Sequence, residues 1–357
     1  METINRTSFE VESIPFKGPD GESFATIIVK GTFTVSPEGQ VQEADEQLPI
    51  AYGDTPFEDQ EGGSVQFEAD IAPYKPRADI VVVGQAYAPA GQAVRGIDVS
   101  LRVGKLHRVL RVYGDRQWHL SSLMSTYATE PQLFTKMPLT YERAFGGIDR
   151  EAGAFCRENP VGRGFFGKVN RKSVHEKPLP NIEDPRAIIQ TPKNRPKPVG
   201  FGFFGRAWHP RASYLGTYDE QWRKTRSPDP PADFKYDFYN AAHPDLQLDG
   251  YLAGGEAVEL INLTPGNSTW RFALPNLSLY CQVKKNYKIL AAYLESQGAD
   301  RTVVQDYISR KRHEDPLPLH ADTLCLIPDE RTFFVIWRGR TSVYDLTALE
   351  IETVQVA

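Results

Sequence analysis

The chain has 357 residues, of which 40% are apolar and 24% charged, and its formal net charge is −5. These values are ordinary for a folded water-soluble protein, and the length permits one large domain or two to three smaller ones. No apolar stretch is long enough to predict a membrane span, and the first residues do not resemble a secretory signal, so we expect neither. The three isolated cysteines, Cys156, Cys281 and Cys325, indicate buried thiols in a reducing compartment, and the cytoplasm is the simplest location.

The charge is unevenly distributed along the chain. Residues 1–70 carry 3 Lys/Arg and 15 Asp/Glu, whereas residues 71–226 carry 26 Lys/Arg and 13 Asp/Glu. A basic middle either binds an acidic partner or complements the acidic parts of the same protein. We favour the second interpretation because the basic residues are dispersed among acidic ones, and we expect no nucleic-acid partner.

The first portion, residues 1–130, is predicted to form antiparallel β-strands. The segment ATIIVKGTFTV (25–35) is rich in β-branched residues, and residues 64–89 contain two strands joined by a proline-rich connection. Residues 96–120 alternate apolar and polar side chains on both sides of Gly104, which predicts a hairpin.

The second portion, residues 131–245, is predicted to be ordered but irregular. Proline and glycine recur throughout it and are interleaved with aromatic residues. Aromatic residues are scarce in disordered segments, so we expect a loop-rich middle whose backbone is fixed by buried rings.

The third portion, residues 246–357, returns to strands, which are predicted at 256–263, 268–275, 277–285, 322–328 and 332–339. Residues 286–314 have helical spacing with a break near Gly298, which predicts two short helices or one kinked helix. The overall prediction is a mainly β protein with sandwich-like antiparallel sheets at both ends of the chain. We expect the three portions to form one compact unit.

Two loops in the middle nearly repeat each other: VGRGFFGK at 161–168 and VGFGFFGR at 199–206. Both contain the spacing G-x-G-x-x-G of nucleotide-binding loops. Such a loop needs a strand before it and a helix after it to direct backbone N–H groups at phosphate, and neither context is predicted here. We therefore interpret them as glycine-flanked aromatic turns, whose rings either fill a core or anchor a partner.

The sequence shows no catalytic or metal-binding signature. The seven histidines are scattered, and neither a zinc-binding pattern nor a nucleophile elbow occurs. A pair of carboxylates of the glycosidase type would leave no local pattern, so that alternative stays open. We predict that the protein is not an enzyme and that it has no cofactor or bound metal.

Seven segments together resemble one family of bacterial proteins. They are FEADIAPYKPRADIVVVGQAYAP (67–89), VYGDRQW (112–118), MPLTYERAFGG (137–147), ENPVGRGF (158–165), LPNIEDP (179–185), GTYDEQW (216–222), and DTLCLIPDE with FVIWRG (322–339). The chain is similar to the type VI secretion-associated adaptor family, long catalogued only as a domain of unknown function. The resemblance covers about residues 20 to 340. Residues 286–314 look long for that family and are expected to be an elaboration fitted to a particular partner.

The resemblance implies a cytoplasmic bacterial chaperone or adaptor that stabilises a toxic effector and helps load it on the secretion spike. The implied partners are a cognate effector, either PAAR-type or the amino-terminal region of a toxin, and the VgrG spike protein. Two alternatives remain: a carbohydrate-active enzyme or sugar-binding β module, suggested by the Trp and Tyr content, and a structural component of the secretion machine.

Within the adaptor hypothesis we place the partner-binding residues in the irregular middle, where loops carry most binding residues. The prediction comprises the two aromatic turns, their flanking arginines and a third aromatic segment. The residues are Arg163, Phe165, Phe166, Phe203, Phe204, Arg206, Trp208, Tyr218 and Trp222.

Overall fold

The computed structural model describes residues 2–57, 62–121, 125–285, 287–311, 316–342 and 349–356. The strands of the first 130 residues are β1 Glu2–Asn5, β2 Glu10–Lys17, β3 Ser23–Val35, β4 Val41–Glu43, β5 Thr55–Pro56, β6 Val65–Phe67, β7 Ala78–Val82, β8 Gln85–Tyr87, β9 Gly96–Val103, β10 Leu106–Tyr113, β11 Trp118–Leu120 and β12 Thr126–Ala128. The later strands are β13 Lys136–Pro138, β14 Phe145–Gly146, β15 Ile148–Asp149, β16 Ala154–Phe155, β17 Arg163–Gly164, β18 Ile182–Glu183, β19 Gln247–Leu248, β20 Ala257–Thr264, β21 Asn267–Ala273, β22 Ser278–Lys285, β23 Leu317–Ile327, β24 Thr332–Ser342 and β25 Leu349–Val356. The α-helices are α1 Arg171–Val174, α2 Glu220–Thr225, α3 Tyr287–Ser296 and α4 Arg301–Lys311.

The larger sheet has ten strands and follows the order β1-β25-β22-β23-β24-β3-β2, with β4, β7 and β19 attached beside this path. Strand β23 shares one of its edges between two partners. Its residues Leu317–Leu319 pair with β22, and its residues Thr323–Leu326 pair in parallel with β7. The smaller sheet has the order β18-β10-β9-β20-β21 and is antiparallel.

Aromatic rings join the two sheets in the main hydrophobic core. Phe333 on β24 packs against Phe33 on β3 with ring centroids 5.1 Å apart, and against Phe272 on β21 at 5.3 Å. Since β21 belongs to the smaller sheet, these rings connect the inner faces of both sheets. The prediction of a mainly β fold with antiparallel sheets is confirmed.

The opposite face of β3 is also covered. Lys30, on that face, is 4% exposed and donates to the carboxylate of Asp70 at 2.8 Å and to the carbonyl oxygen of Pro49. Thr26 donates to the carbonyl oxygen of Pro73. Irregular segments therefore cover the outer face of the sheet, which explains why β3 is buried almost continuously although its outer face carries polar side chains.

The regular elements lie close to their predicted positions. The hairpin of β9 and β10 turns at Gly104, whose φ of +53° favours glycine. Helices α3 and α4 are separated near Gly298, which has a φ of +86°. Within the predicted helical stretch, residues 286 and 312–314 lie outside the described residues. In the middle portion, residues 131–245, the structure has strands of two or three residues, 3-10 turns and two short helices.

The main hydrophobic cluster contains residues from each of the three predicted portions, including Ile27, Phe204 and Phe334. A smaller cluster lies beneath the first aromatic loop and contains Trp118 and Phe166. The irregular middle is fixed to the larger sheet by Asp79 of β7, which is fully buried. Its carboxylate accepts hydrogen bonds from the side chains of Lys75 and Asn240 and from the backbone N–H groups of residues 241 and 242.

Candidate partner-binding surface

The second aromatic loop, residues 199–206, is part of the main core. The carbonyl oxygen of Phe201 accepts from the backbone N–H of Val82, and the N–H of Phe204 donates to the carbonyl of Ala241. Phe203 and Phe204 are 4% and 2% exposed, and Trp208, just beyond the loop, is 6% exposed. This loop therefore fills the core with its rings.

The glycines of the second loop allow rings to approach its backbone. A Cβ atom at Gly200 would lie 2.9 Å from the ring of Tyr141, and one at Gly205 would lie 2.5 Å from the ring of Trp208. Tyr141 contacts both Phe204 and Trp208, with ring centroids 5.5 and 5.2 Å apart. Ring packing accounts for the glycine spacing here without a phosphate ligand.

The first aromatic loop, residues 161–168, lies at the surface over the smaller cluster. Phe166 is 7% exposed and belongs to that cluster, whereas Phe165 is only partly buried and packs against Phe145. The guanidinium of Arg195 lies over the Phe165 ring, 5.3 Å from its centroid. The helix that follows has four residues, and the side chain of Asn170 caps it by accepting from the N–H of Ser173. The first loop thus differs from a phosphate-binding loop as well.

The two predicted arginines are bound within the protein. Arg163 donates from Nε to the carbonyl oxygen of Glu142 at 2.8 Å, and burial, followed by repulsion from Arg143, lowers its pKa. Arg206 contacts the carboxylates of Asp54 and Glu68 at 3.0 and 3.1 Å. Both side chains are partly exposed.

The third aromatic segment forms the short helix α2. Asp219 caps the helix by accepting a hydrogen bond from the backbone N–H of Trp222 at 2.7 Å. Trp222 donates from its indole nitrogen to the carbonyl of Asp229, and its ring lies 4.6 Å from that of Tyr218. Tyr218 is 52% exposed. Tyr218 is therefore the most accessible ring among the predicted residues.

The predicted residues accordingly divide by exposure. The side chains of Phe166, Phe203, Phe204 and Trp208 are buried, those of Arg163, Phe165, Arg206 and Trp222 are partly buried, and that of Tyr218 is exposed. A role in partner binding stays a prediction for all nine, and the four buried rings would reach a partner only if the core opened.

Asn181 is fully buried, and four of the seven segments that carry the family resemblance meet there. Its amide nitrogen donates to the carbonyl of Tyr113 at 3.1 Å and to the carboxylate of Asp115 at 2.9 Å. Its amide oxygen accepts from Arg143 at 3.2 Å and from Arg163 at 3.4 Å. The segments at 112–118, 137–147, 158–165 and 179–185 therefore hold one another in place.

A further feature, the hairpin of β15 and β16, was not predicted. Its two faces differ because side chains alternate along a strand. On one face, Asp149 accepts hydrogen bonds from the backbone N–H groups of Ala152 and Gly167, and a Cβ atom at Gly167 would lie 2.6 Å from the Cβ of Ala154. This face is held against the first aromatic loop.

The other face of the hairpin carries Ile148 and Phe155, which stand directly opposite each other and are 59% and 53% exposed. We call these two residues the apolar pair. Two exposed basic residues, Arg150 and Arg157, are close to this pair in the chain. A third, Lys168, is exposed in the first aromatic loop, which contacts the hairpin. The sequence IDREAGAF gives only two residues on each side of a turn, which is too short a pattern for periodicity to reveal a strand.

Among the residues the structure describes, no group of three or more His, Cys, Asp or Glu side chains is placed to hold a metal ion. Helices in the same part of the chain are all too short or too polar to cross a membrane.

Residues 20–338 match the model of a family described as "Uncharacterized protein conserved in bacteria (DUF2169)". The chain belongs to this family. The match covers most of the chain and includes all seven resembling segments up to residue 338. No curated protein and no solved structure matches this DUF2169 member.

Proposed function

We propose that this DUF2169 protein is a cytoplasmic adaptor of type VI secretion that binds and stabilises a toxic effector and helps load it on the VgrG/PAAR spike. The proposal combines the resemblance of the seven segments with one structural observation, the apolar pair on a hairpin whose other face is fixed to the protein. It assigns the protein no catalytic role.

The apolar pair suits partner binding because its exposure is maintained by the structure. The hydrogen bonds of Asp149 and the close contact at Gly167 fix the hairpin, so the backbone that carries Ile148 and Phe155 needs little further ordering on binding. An aromatic and an aliphatic residue side by side provide the apolar centre that protein interfaces commonly use.

The charge around the pair indicates the chemistry of the partner. Residues 144–198 carry 11 Lys/Arg and 6 Asp/Glu. Glu183 forms a buried ion pair with Arg116, and Asp184 pairs with Arg186. Glu151 and Glu158 are exposed beside the apolar pair, but the exposed basic residues of this segment outnumber its exposed acidic ones. The segment of effector that binds here would carry apolar side chains flanked by acidic ones.

Co-expression with the effector encoded beside this gene tests the proposal. We expect a stable complex, a larger soluble fraction of effector and recovery of the spike protein with it. The double variant Ile148→Ser/Phe155→Ser should fold normally and bind the effector at least about tenfold more weakly, which corresponds to about 1.4 kcal/mol.

Leu133→Ser is the matched control, because Leu133 is 61% exposed and lies on a different segment. The proposal is wrong if the effector is equally soluble, loaded and secreted without this protein. Equal binding by the double variant and the control would retain the adaptor role but remove the apolar pair from it. Stoichiometric recovery of baseplate proteins without effector would instead favour a structural component.

A further inference from the structure

A separate cleft opens between two 3-10 turns of the middle portion, Arg211–Tyr214 and Tyr236–Tyr239, and the segment 242–249. Its volume is about 350 Å³, near the lower end of the roughly 300–1,000 Å³ typical of ligand sites. It is therefore large enough for one long side chain or a small molecule. Its lining includes Phe204, Arg211, Tyr214, Asp237, Gln247 and Asp249.

The cations that line the cleft are already neutralised. Arg211 is 2% exposed and forms two hydrogen bonds of 2.7 Å with the carboxylate of Glu68, and it also donates to two backbone carbonyls. Arg77 pairs with Asp237, and each side chain is about one-third exposed. Neither arginine has an unmatched charge to offer an anion.

The polar groups of the cleft that remain without a partner are mostly hydrogen-bond acceptors. Asp249 is exposed and, within the described part of the chain, has no hydrogen bond or ion pair. Gln247 uses its amide N–H on the carbonyl of Ala242, which leaves its amide oxygen as an acceptor. The charged lining residues sum to zero, but Arg211 is paired with Glu68 from outside the lining and Arg77 with Asp237, so Asp249 carries the unpaired charge of the cleft.

The walls suit the apolar part of a cationic side chain. Tyr214 provides aromatic surface, and Pro210 and Pro244 provide aliphatic surface, whereas the ring of Phe204 is buried beneath the floor of the cleft. Aromatic faces attract guanidinium and ammonium groups, and the stem of a long basic side chain packs well against such walls. Arg77 Nε has no hydrogen-bond partner among the described residues, but it is buried, so it does not present a donor to the cleft.

We propose that this cleft binds a guanidinium or primary ammonium group, with Asp249 as its counter-ion and the Tyr214 ring against its stem. An arginine or lysine side chain of a bound polypeptide carries this chemistry together with a carbonyl group, and a free small amine carries the cation alone. The site does not depend on the adaptor function proposed above.

Calorimetric titration of the full-length protein with N-acetyl-arginine amide tests the proposal. We expect binding at millimolar concentration that weakens as salt is raised, because an exposed ion pair is screened. N-acetyl-citrulline amide has nearly the same shape but no charge, and it should bind at least about tenfold more weakly, the effect of about 1.4 kcal/mol.

Asp249→Asn should reduce the affinity for the arginine probe about fivefold or more, an ion-pair contribution of about 1 kcal/mol, and Asp249→Glu should restore most of it. Asp245→Asn is the control, because Asp245 is also an exposed acid in this segment but pairs with Arg108 outside the cleft. Agmatine carries the guanidinium without a carbonyl. Equal binding of agmatine indicates a free amine as the natural ligand, and weaker binding indicates a polypeptide; both outcomes support the cation site.

Three results would overturn the proposal: no binding of the arginine probe, equal binding of the citrulline probe, or an unchanged affinity in Asp249→Asn. Chemical denaturation of each variant verifies that the fold is intact, which is expected because Asp249 is exposed and makes no described contact.

Discussion

The aromatic loops at 161–168 and 199–206 share six of their eight residues, yet they lie in different environments. In the second loop both phenylalanines are buried in the main core beside Tyr141 and Trp208. In the first loop one ring is buried in a smaller cluster, and the other is partly exposed beneath Arg195. The same short sequence thus fills a core in one place and forms part of the surface in another, because distant residues decide what covers it.

Replacing one ring in each loop should give the largest difference. Phe204→Ala should lower the free energy of unfolding by about 3–5 kcal/mol, because it empties a buried site between three aromatic neighbours. Phe165→Ala should cost about 1 kcal/mol, since its ring is only partly buried. Urea denaturation measures both. If the two variants lost equal free energy of unfolding, the difference in exposure between Phe204 and Phe165 would have no energetic consequence.

Glycine substitutions sharpen the comparison within the second loop. Gly205→Ala and Gly200→Ala should each cost about 1–3 kcal/mol, because the new methyl group would overlap the rings of Trp208 and Tyr141. Gly202→Ala is the control, since a Cβ there has no neighbour closer than 4.0 Å. Thermal denaturation should separate the three variants. A loss at Gly202 as large as at Gly205 would contradict the ring-packing explanation.

Replacing Arg195, whose guanidinium lies over the Phe165 ring of the first loop, should have a smaller effect on stability. Arg195→Ala should lower stability by about 0.5–1 kcal/mol, because it removes the cation–π contact with Phe165 together with the hydrogen bond that Arg195 donates to the carbonyl oxygen of Phe166. Lys193→Ala, two residues away and also exposed, should change stability by less than about 0.5 kcal/mol. If both variants behave alike in urea denaturation, the position of Arg195 over the ring does not stabilise the loop.

The smallest effect should come from Asp149, and it should depend on pH. Hydrogen bonds from backbone N–H groups, first that of Ala152, lower the pKa of Asp149 below its ordinary value of 3.8. Its stabilising contribution is therefore complete well above the unfolded-state pKa of about 3.9, and it is lost as pH falls through the lower native pKa.

Melting temperatures of wild type and Asp149→Asn, compared between neutral and strongly acidic pH, measure this contribution. We expect the wild type to be more stable at neutral pH and the difference to vanish in acid. Ser173→Ala, a substitution at a partly exposed position without a carboxylate, should show no such trend. A difference that stays constant with pH would exclude the carboxylate as its source.

Periodicity predicted the long elements because their pattern repeats within the segment itself. The run in β3, the hairpin of β9 and β10 and the helices α3 and α4 contain enough residues for alternation or helical spacing to appear. The hairpin that displays Ile148 and Phe155 contains two residues in each strand, so it has no detectable period.

Ring exposure could not be predicted for a different reason. Phe204 is buried by Tyr141, 63 residues earlier in the chain, and the position of Tyr141 depends on further distant contacts. The cleft at Asp249 likewise combines Arg77 with residues between 204 and 249. A site assembled from such separate segments has no local pattern, and only the individual residue types can be read from the sequence.

Asn181 has a consequence for what family membership can reveal. The four segments that meet there are thermodynamically coupled, because a substitution in one leaves the polar groups of the others without partners. A search that detects these segments therefore detects a cooperative folding unit. Our two proposals place partner preference elsewhere, on the exposed hairpin and around the cleft, and they therefore predict that two proteins with the same four segments can bind different partners.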